Sequence, residues 1–130
     1  MSAPSRFPAV LDRAAFTRLG ATMSPAELRE LVELFVAETD FYMTEIAARR
    51  AQGDLESVAR LARNIVSIAG NLGAARASAL ARQLERICRA RDKTGSYRLI
   101  SDVSQACREA GGEMDALLKI EKENFRTARA

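Results

Sequence analysis

Apolar residues recur along this chain at spacings of three and four, the signature of helices that each bury one stripe. Asp12 is placed to cap a first short helix, with Leu11 before it and Phe16 four residues after, the spacing of a hydrophobic staple. Gly20 closes that element. The clearest start signal follows at Ser24-Pro25-Ala26-Glu27, where serine caps, proline suits the first helical position and glutamate reaches back in a capping box. Leu28, Leu31, Val32, Phe35, Tyr42, Met43 and Ile46 then form a long stripe. Gln52 and Gly53 end it and Asp54 caps the next helix at once, a link short enough to predict an antiparallel pair.

From near Leu55, Val58, Leu61, Ile65, Ile68 and Leu72 cluster on one side of a third helix. Glu56, Ala59, Arg60, Ser67 and Gly70 fall opposite, around Arg63, with Val66 on the flank. This second face reads as a flat surface of small side chains from which Arg63 projects almost alone. A merely solvated face usually carries long charged side chains in i,i+4 pairs. A mid-helix glycine also costs ~1 kcal/mol relative to alanine, so Gly70 predicts a packing or docking reason. Gly73 is placed for the left-handed conformation just past a helix end.

A fourth helix carries Ala77, Leu80, Ala81, Leu84, Ile87 and Cys88 on one side, with Arg76, Arg82, Arg86 and Arg89 elsewhere around it. Residues 92–96 read as a turn. Ile100, Val103, Cys107, Ala110, Met114 and Leu117 form the seam of a last helix, interrupted by Gly111 and Gly112, where the pattern leaves open whether the helix is continuous. No strand-like alternation occurs. The pattern predicts an all-α fold, an antiparallel up-down four-helix bundle with a short additional N-terminal helix, over residues 10–118. Residues 1–9 read as a disordered lead-in and 119–130 as a charged extension that projects or frays.

The 130 residues suffice for one domain with a real core, and no run of 18 apolar residues predicts a membrane span. Residues 1–8 lack the apolar run of a secretory signal, and Cys88 and Cys107 lie at apolar helix positions without metal-like spacing. They read as buried thiols of a cytosolic protein. No cofactor or metal site is expected. Charge changes the picture more, because residues 49–98 hold eleven basic against four acidic residues within an overall net charge of only +3.

The stretch 62–74 resembles the core motif of histidine-containing phosphotransfer (HPt) domains. Ala62, Ile65, Ala69, Gly70, Asn71, Leu72, Gly73 and Ala74 fit in register, as do Val10, Leu11 and Asp12, Leu34 and Phe35, Gly53 and Asp54, and Leu80, Leu84, Glu85 and Arg91. The resemblance covers most of residues 10–92 and implies a phosphorelay bundle that meets response-regulator receiver domains or histidine kinases. Three departures fall at its centre. Arg63 stands where the family's phosphoaccepting histidine would be, Val66 where its lysine would help neutralise the phosphoryl group, and Ser67 where its glycine would open space for a partner.

The 130 residues contain no histidine, so no shifted register restores phosphohistidine chemistry. Arginine stays protonated and has no free lone pair with which to attack an aspartyl phosphate. The expected function is therefore that of a pseudo-phosphotransfer domain, binding a receiver domain or kinase as adaptor, competitor or sequestering regulator. Its docking surface would comprise Ala59, Arg60, Arg63, Asn64, Val66, Ser67 and Gly70. The cluster of aspartates at a receiver's phosphorylation site would complement a basic patch centred on Arg63.

Other readings address the same charge. A basic helical module could hold nucleic acid phosphates, although no zinc ligand set, phosphate loop, RNA-binding motif or stacking platform of aromatics accompanies the arginines. An arginine-rich solvated surface also accounts for the excess, since arginine outnumbers lysine 17 to 3 throughout. A self-associating structural bundle is a further alternative, but no extra apolar stripe is assignable and a monomer is expected. Catalysis lacks its parts. Glu38 with Asp40, and Glu121 with Glu123, read as solvated helix surface, neither cysteine has an activating neighbour, and Ser67 has no base on its face.

Overall fold

The computed structural model describes residues 7–129, with side chains as far as Ile120 and at Lys122. Residues 1–6, most of the proposed lead-in, and the side chains of Glu121 and Glu123 lie outside the described residues. Within them the chain forms five α-helices and no strand: α1 (Arg13–Gly20), α2 (Pro25–Ala51), α3 (Leu55–Leu72), α4 (Ala75–Arg89) and α5 (Lys93–Arg129). Helices α2 to α5 pack in a ring, each against its two neighbours, and α1 lies against α3.

The starts form as their local chemistry dictates. Asp12 accepts from the Ala15 amide at 3.1 Å, and the stapled Leu11 and Phe16 are both buried. At α2 the Glu27 amide donates to Ser24 Oγ at 3.1 Å and the Ser24 amide to Glu27 Oε1 at 3.0 Å. That second bond holds the Glu27 carboxyl below its ordinary pKa. At α3 Asp54 accepts from both the amide and the hydroxyl of Ser57, which likewise lowers its pKa.

The start of the chain is tied down earlier than the sequence implies. Pro8 and Ala9, assigned to the lead-in, give their carbonyls to the Arg76 side chain and amide at 3.0 and 3.1 Å. The Asp12 amide donates to the Gly73 carbonyl at 2.8 Å, so residues 8–12 strap across the α3–α4 turn. Gly73 has φ 84°, and an added Cβ would meet the Asp12 carbonyl oxygen at 3.0 Å.

One expectation about α5 is corrected. Residues 93–96 are its first turn and not a loop, because Asp92 Oδ1 accepts from the Gly95 amide at 3.0 Å and caps it. Continuity at Gly111 and Gly112, left open by the sequence, is settled in favour of one helix that runs to Arg129. Gly111 instead lets α2 come close, since a Cβ there would lie 3.1 Å from Val36 Cγ2. The antiparallel α2 and α5 are also pinned by Arg50, whose Nε donates to Ser96 Oγ at 2.7 Å and Nη2 to the Lys93 carbonyl at 3.0 Å. Its guanidinium stacks 3.7 Å from the Tyr97 ring centre.

The core is built from Phe35, Ile46, Val58, Ile65, Leu84, Val103 and Met114, all fully buried. Cys88 and Cys107 are buried free thiols, and burial pushes both pKa values up, Cys107 to about 12. Neither is a poised nucleophile. No helix among the described residues is long and apolar enough to cross a membrane.

Candidate functional site

Helix α3 is the inner edge of the site. It packs most extensively on α4, and Ala59, Ala62 and Ala69 of α3 with Ala77 and Ala81 of α4 are completely buried. Ala59, expected on the docking surface, therefore belongs to the core. A bundle helix touches two neighbours, so its buried arc is wider than the bulky stripe alone, and alanines fill the arc that faces α4. Leu61 and Ile68, assigned to the seam, are only half-buried.

The other expected residues reach the surface together. Arg60, Arg63, Asn64, Ser67 and Gly70 are exposed along α3, and Val66 is half-buried beside them. Val66 is anchored through its backbone, since Ser78 Oγ of α4 donates to its carbonyl at 2.9 Å. Gly70 has no internal packing requirement. A methyl there would sit 3.5 Å from Ser78 Oγ, an ordinary contact. Gly70→Ala is accordingly expected to stabilise the isolated protein by about 0.5–1 kcal/mol, read as a higher urea midpoint at unchanged slope. A lower midpoint would show a packing role that the geometry does not contain.

Arg63 does not stand alone. Its side chain is 70% exposed, and its Nη1 lies 3.7 Å from Oε1 of Glu85, a carboxylate on α4 whose side chain is only 11% exposed. Arg89, one turn further along α4, donates from Nε and Nη2 to Glu85 Oε2 at 3.2 and 3.0 Å. One buried carboxylate thus serves two arginines on different helices. Arg60 is fixed through a chain of bonds, donating at 2.9 Å to Ser57 Oγ, which donates at 2.6 Å to Asp54. Arg49 of α2 pairs with Glu45 at 3.4 Å. Arg49, Arg60, Arg63 and Arg89 line one open groove with Ser57, Leu61, Asn64 and Glu45.

A second groove meets the first at Asn64. It runs between α2 and α3 and is lined mostly by apolar side chains, Leu19, Leu31, Leu34, Phe35, Tyr42, Ile68 and Leu72, with Glu38, Ser67 and Asn71. Beside it on α2, Leu34 and Phe41 are half or more exposed, large apolar groups left uncovered. Sequence reasoning missed this groove and the Glu85 pair. The signal for Glu85 was present, a lone acid among the arginines of α4 at the edge of its apolar side. The exposure of Leu34 and Phe41 was not readable, because one stripe cannot show where a neighbouring helix ends its cover.

A model of the Hpt domain family matches residues 30–121, most of the chain and all of α3 and α4. The chain belongs to the Hpt domain family. Two solved structures are similar in fold to this Hpt chain at 19% sequence identity. Histidine-containing phosphotransfer protein B from Pseudomonas aeruginosa has a TM-score of 0.79, with 91% of this chain and 97% of that one covered. A rice protein assigned as histidine-containing phosphotransfer has a TM-score of 0.78, with coverage of 88% and 85%. No curated protein matches it in sequence. Membership places the chain in phosphorelay signalling, in a family whose domains meet receiver domains and histidine kinases.

Proposed function

We propose that this Hpt chain is a pseudo-phosphotransfer domain that docks a response-regulator receiver domain without carrying phosphate, and so sequesters it or competes with phosphate-carrying relatives. One observation carries the reading. Arg63, which the motif resemblance aligns with the family's phosphoacceptor, is exposed at the centre of the solvent face of α3, 3.7 Å from buried Glu85. The docking surface is Arg60, Arg63, Asn64, Val66, Ser67 and Gly70, continued by the apolar groove that shares Asn64 and Ser67 with it. Uncovered Leu34 and Phe41 supply area, the arginines supply encounter rate and orientation, and Val66 makes the centre drier than a lysine would.

Titration of purified receiver domains from the same organism tests this. Micromolar binding is expected, weakened by roughly tenfold or more in Arg63→Ala, because the truncation removes a charge facing the partner's acidic pocket. No binding to any receiver, with salt-dependent retention on DNA or RNA, would replace the reading with the nucleic-acid one.

A further inference from the structure

Glu85 raises a question that docking alone does not answer. A carboxylate this buried beside a partner-facing arginine repels the acidic partner that the arginine is meant to attract. Its two oxygens are used differently. Oε2 takes both hydrogen bonds from Arg89, whereas Oε1 lies 3.7 Å from Arg63 Nη1, close enough to orient it and too far to engage its donors. Among the described residues Arg63 has no hydrogen-bonding partner, so its fork of N–H donors is aimed by Glu85 yet unspent.

Resting on the docking reading, we propose that Glu85 is a positioning residue that holds Arg63 ready for a phosphoryl group, so that the receiver taken up is the phosphorylated one. The donor and charge count favours this anion. Four arginines line the groove, while Glu45, Asp54, Glu56 and Glu85 already neutralise them in the free protein. A partner carboxylate brings one negative charge and must compete with the protein's own. A phosphoryl group brings about two charges and three strong acceptor oxygens, enough to take the open fork of Arg63 and reach Arg60 while Arg89 stays with Glu85. No bond to phosphorus forms, because the guanidinium has no lone pair to offer, so the aspartyl phosphate is held and not consumed.

The test compares each receiver in its free form with the same receiver carrying beryllofluoride, a stable mimic of the aspartyl phosphate. The unmodified protein is expected to bind the beryllofluoride form tenfold or more tightly. In Arg63→Ala that ratio should fall to about one. Arg63→Lys, which keeps the charge and loses the fork, should retain only a small preference. Glu85→Gln, with its fold checked by circular dichroism, should reduce the ratio more than it changes binding of the free receiver, a split that a merely structural role would not produce. Equal binding of both forms, weakened by Arg63→Ala, would overturn the phosphoryl preference and leave docking intact. A preference that survives in Arg63→Ala or is unchanged in Glu85→Gln would overturn the assigned roles. Binding of neither form would overturn the docking reading and this inference together.

Discussion

Gly73→Ala is expected to destabilise the protein by about 2–4 kcal/mol, lowering the melting temperature by about 10 °C. Two effects add at this residue. Its φ of 84° is left-handed, which strains any side chain bearing a Cβ. The new methyl would also press on the Asp12 carbonyl oxygen at 3.0 Å, next to the 2.8 Å bond from the Asp12 amide to the Gly73 carbonyl. Easing that contact loosens the strap that joins α1 to the end of α3. Gly53 is the internal comparison, with φ 74° and nothing within 4 Å of an added Cβ. Gly53→Ala should therefore cost only the backbone term, about 1–2 kcal/mol. Equal losses in the two variants, measured by urea unfolding, would mean that the Asp12 contact contributes nothing.

Arg63→His is expected not to confer phosphotransfer, although it places an imidazole at the exposed centre of α3. The phosphoryl group in flight needs charge stabilisation nearby, and the half-buried Val66, three residues along the same helix, offers none. Removing one preorganised donor from an acyl-transfer oxyanion hole slows that reaction by about 10²–10³-fold, which sets the scale of the loss. Ser67 adds a further side chain on the same exposed face, where a partner would approach. After incubation with a labelled phosphorylated receiver, the single variant should show no phosphoprotein above the unmodified chain. Arg63→His combined with Val66→Lys and Ser67→Gly should show it. Ready labelling of the single variant would mean that the histidine position alone decides transfer on this scaffold.

Both predictions rest on residues of different legibility. Gly73 was readable as a helix stop because a glycine after an apolar stripe ending in leucine has few other uses. Its second role, making room for the Asp12 carbonyl, was not, since residues 12 and 73 become neighbours only when the bundle closes. Ala59 misled for a related reason. A small residue opposite a bulky stripe reads as surface on one helix considered alone, yet α4 covers that side. The same holds for Gly111, where the sequence left helix continuity open and the structure brings α2 close to α5.

By itself the sequence determined the number of helices, the caps of the first three, their antiparallel order and the presence of Arg63 on the solvent face of α3. These are properties of residues within a turn or two of one another, where periodicity and capping act directly. It also determined that the 130 residues offer no histidine for phosphate to occupy. Only the tertiary structure decided which alanines are core, which apolar groups of α2 stay uncovered, and that a buried carboxylate from α4 lies within ion-pair distance of Arg63. Those depend on contacts between helices separated by loops. Burial and charge pairing across such distances follow from how whole helices pack, and one strand of periodicity carries no record of its neighbour.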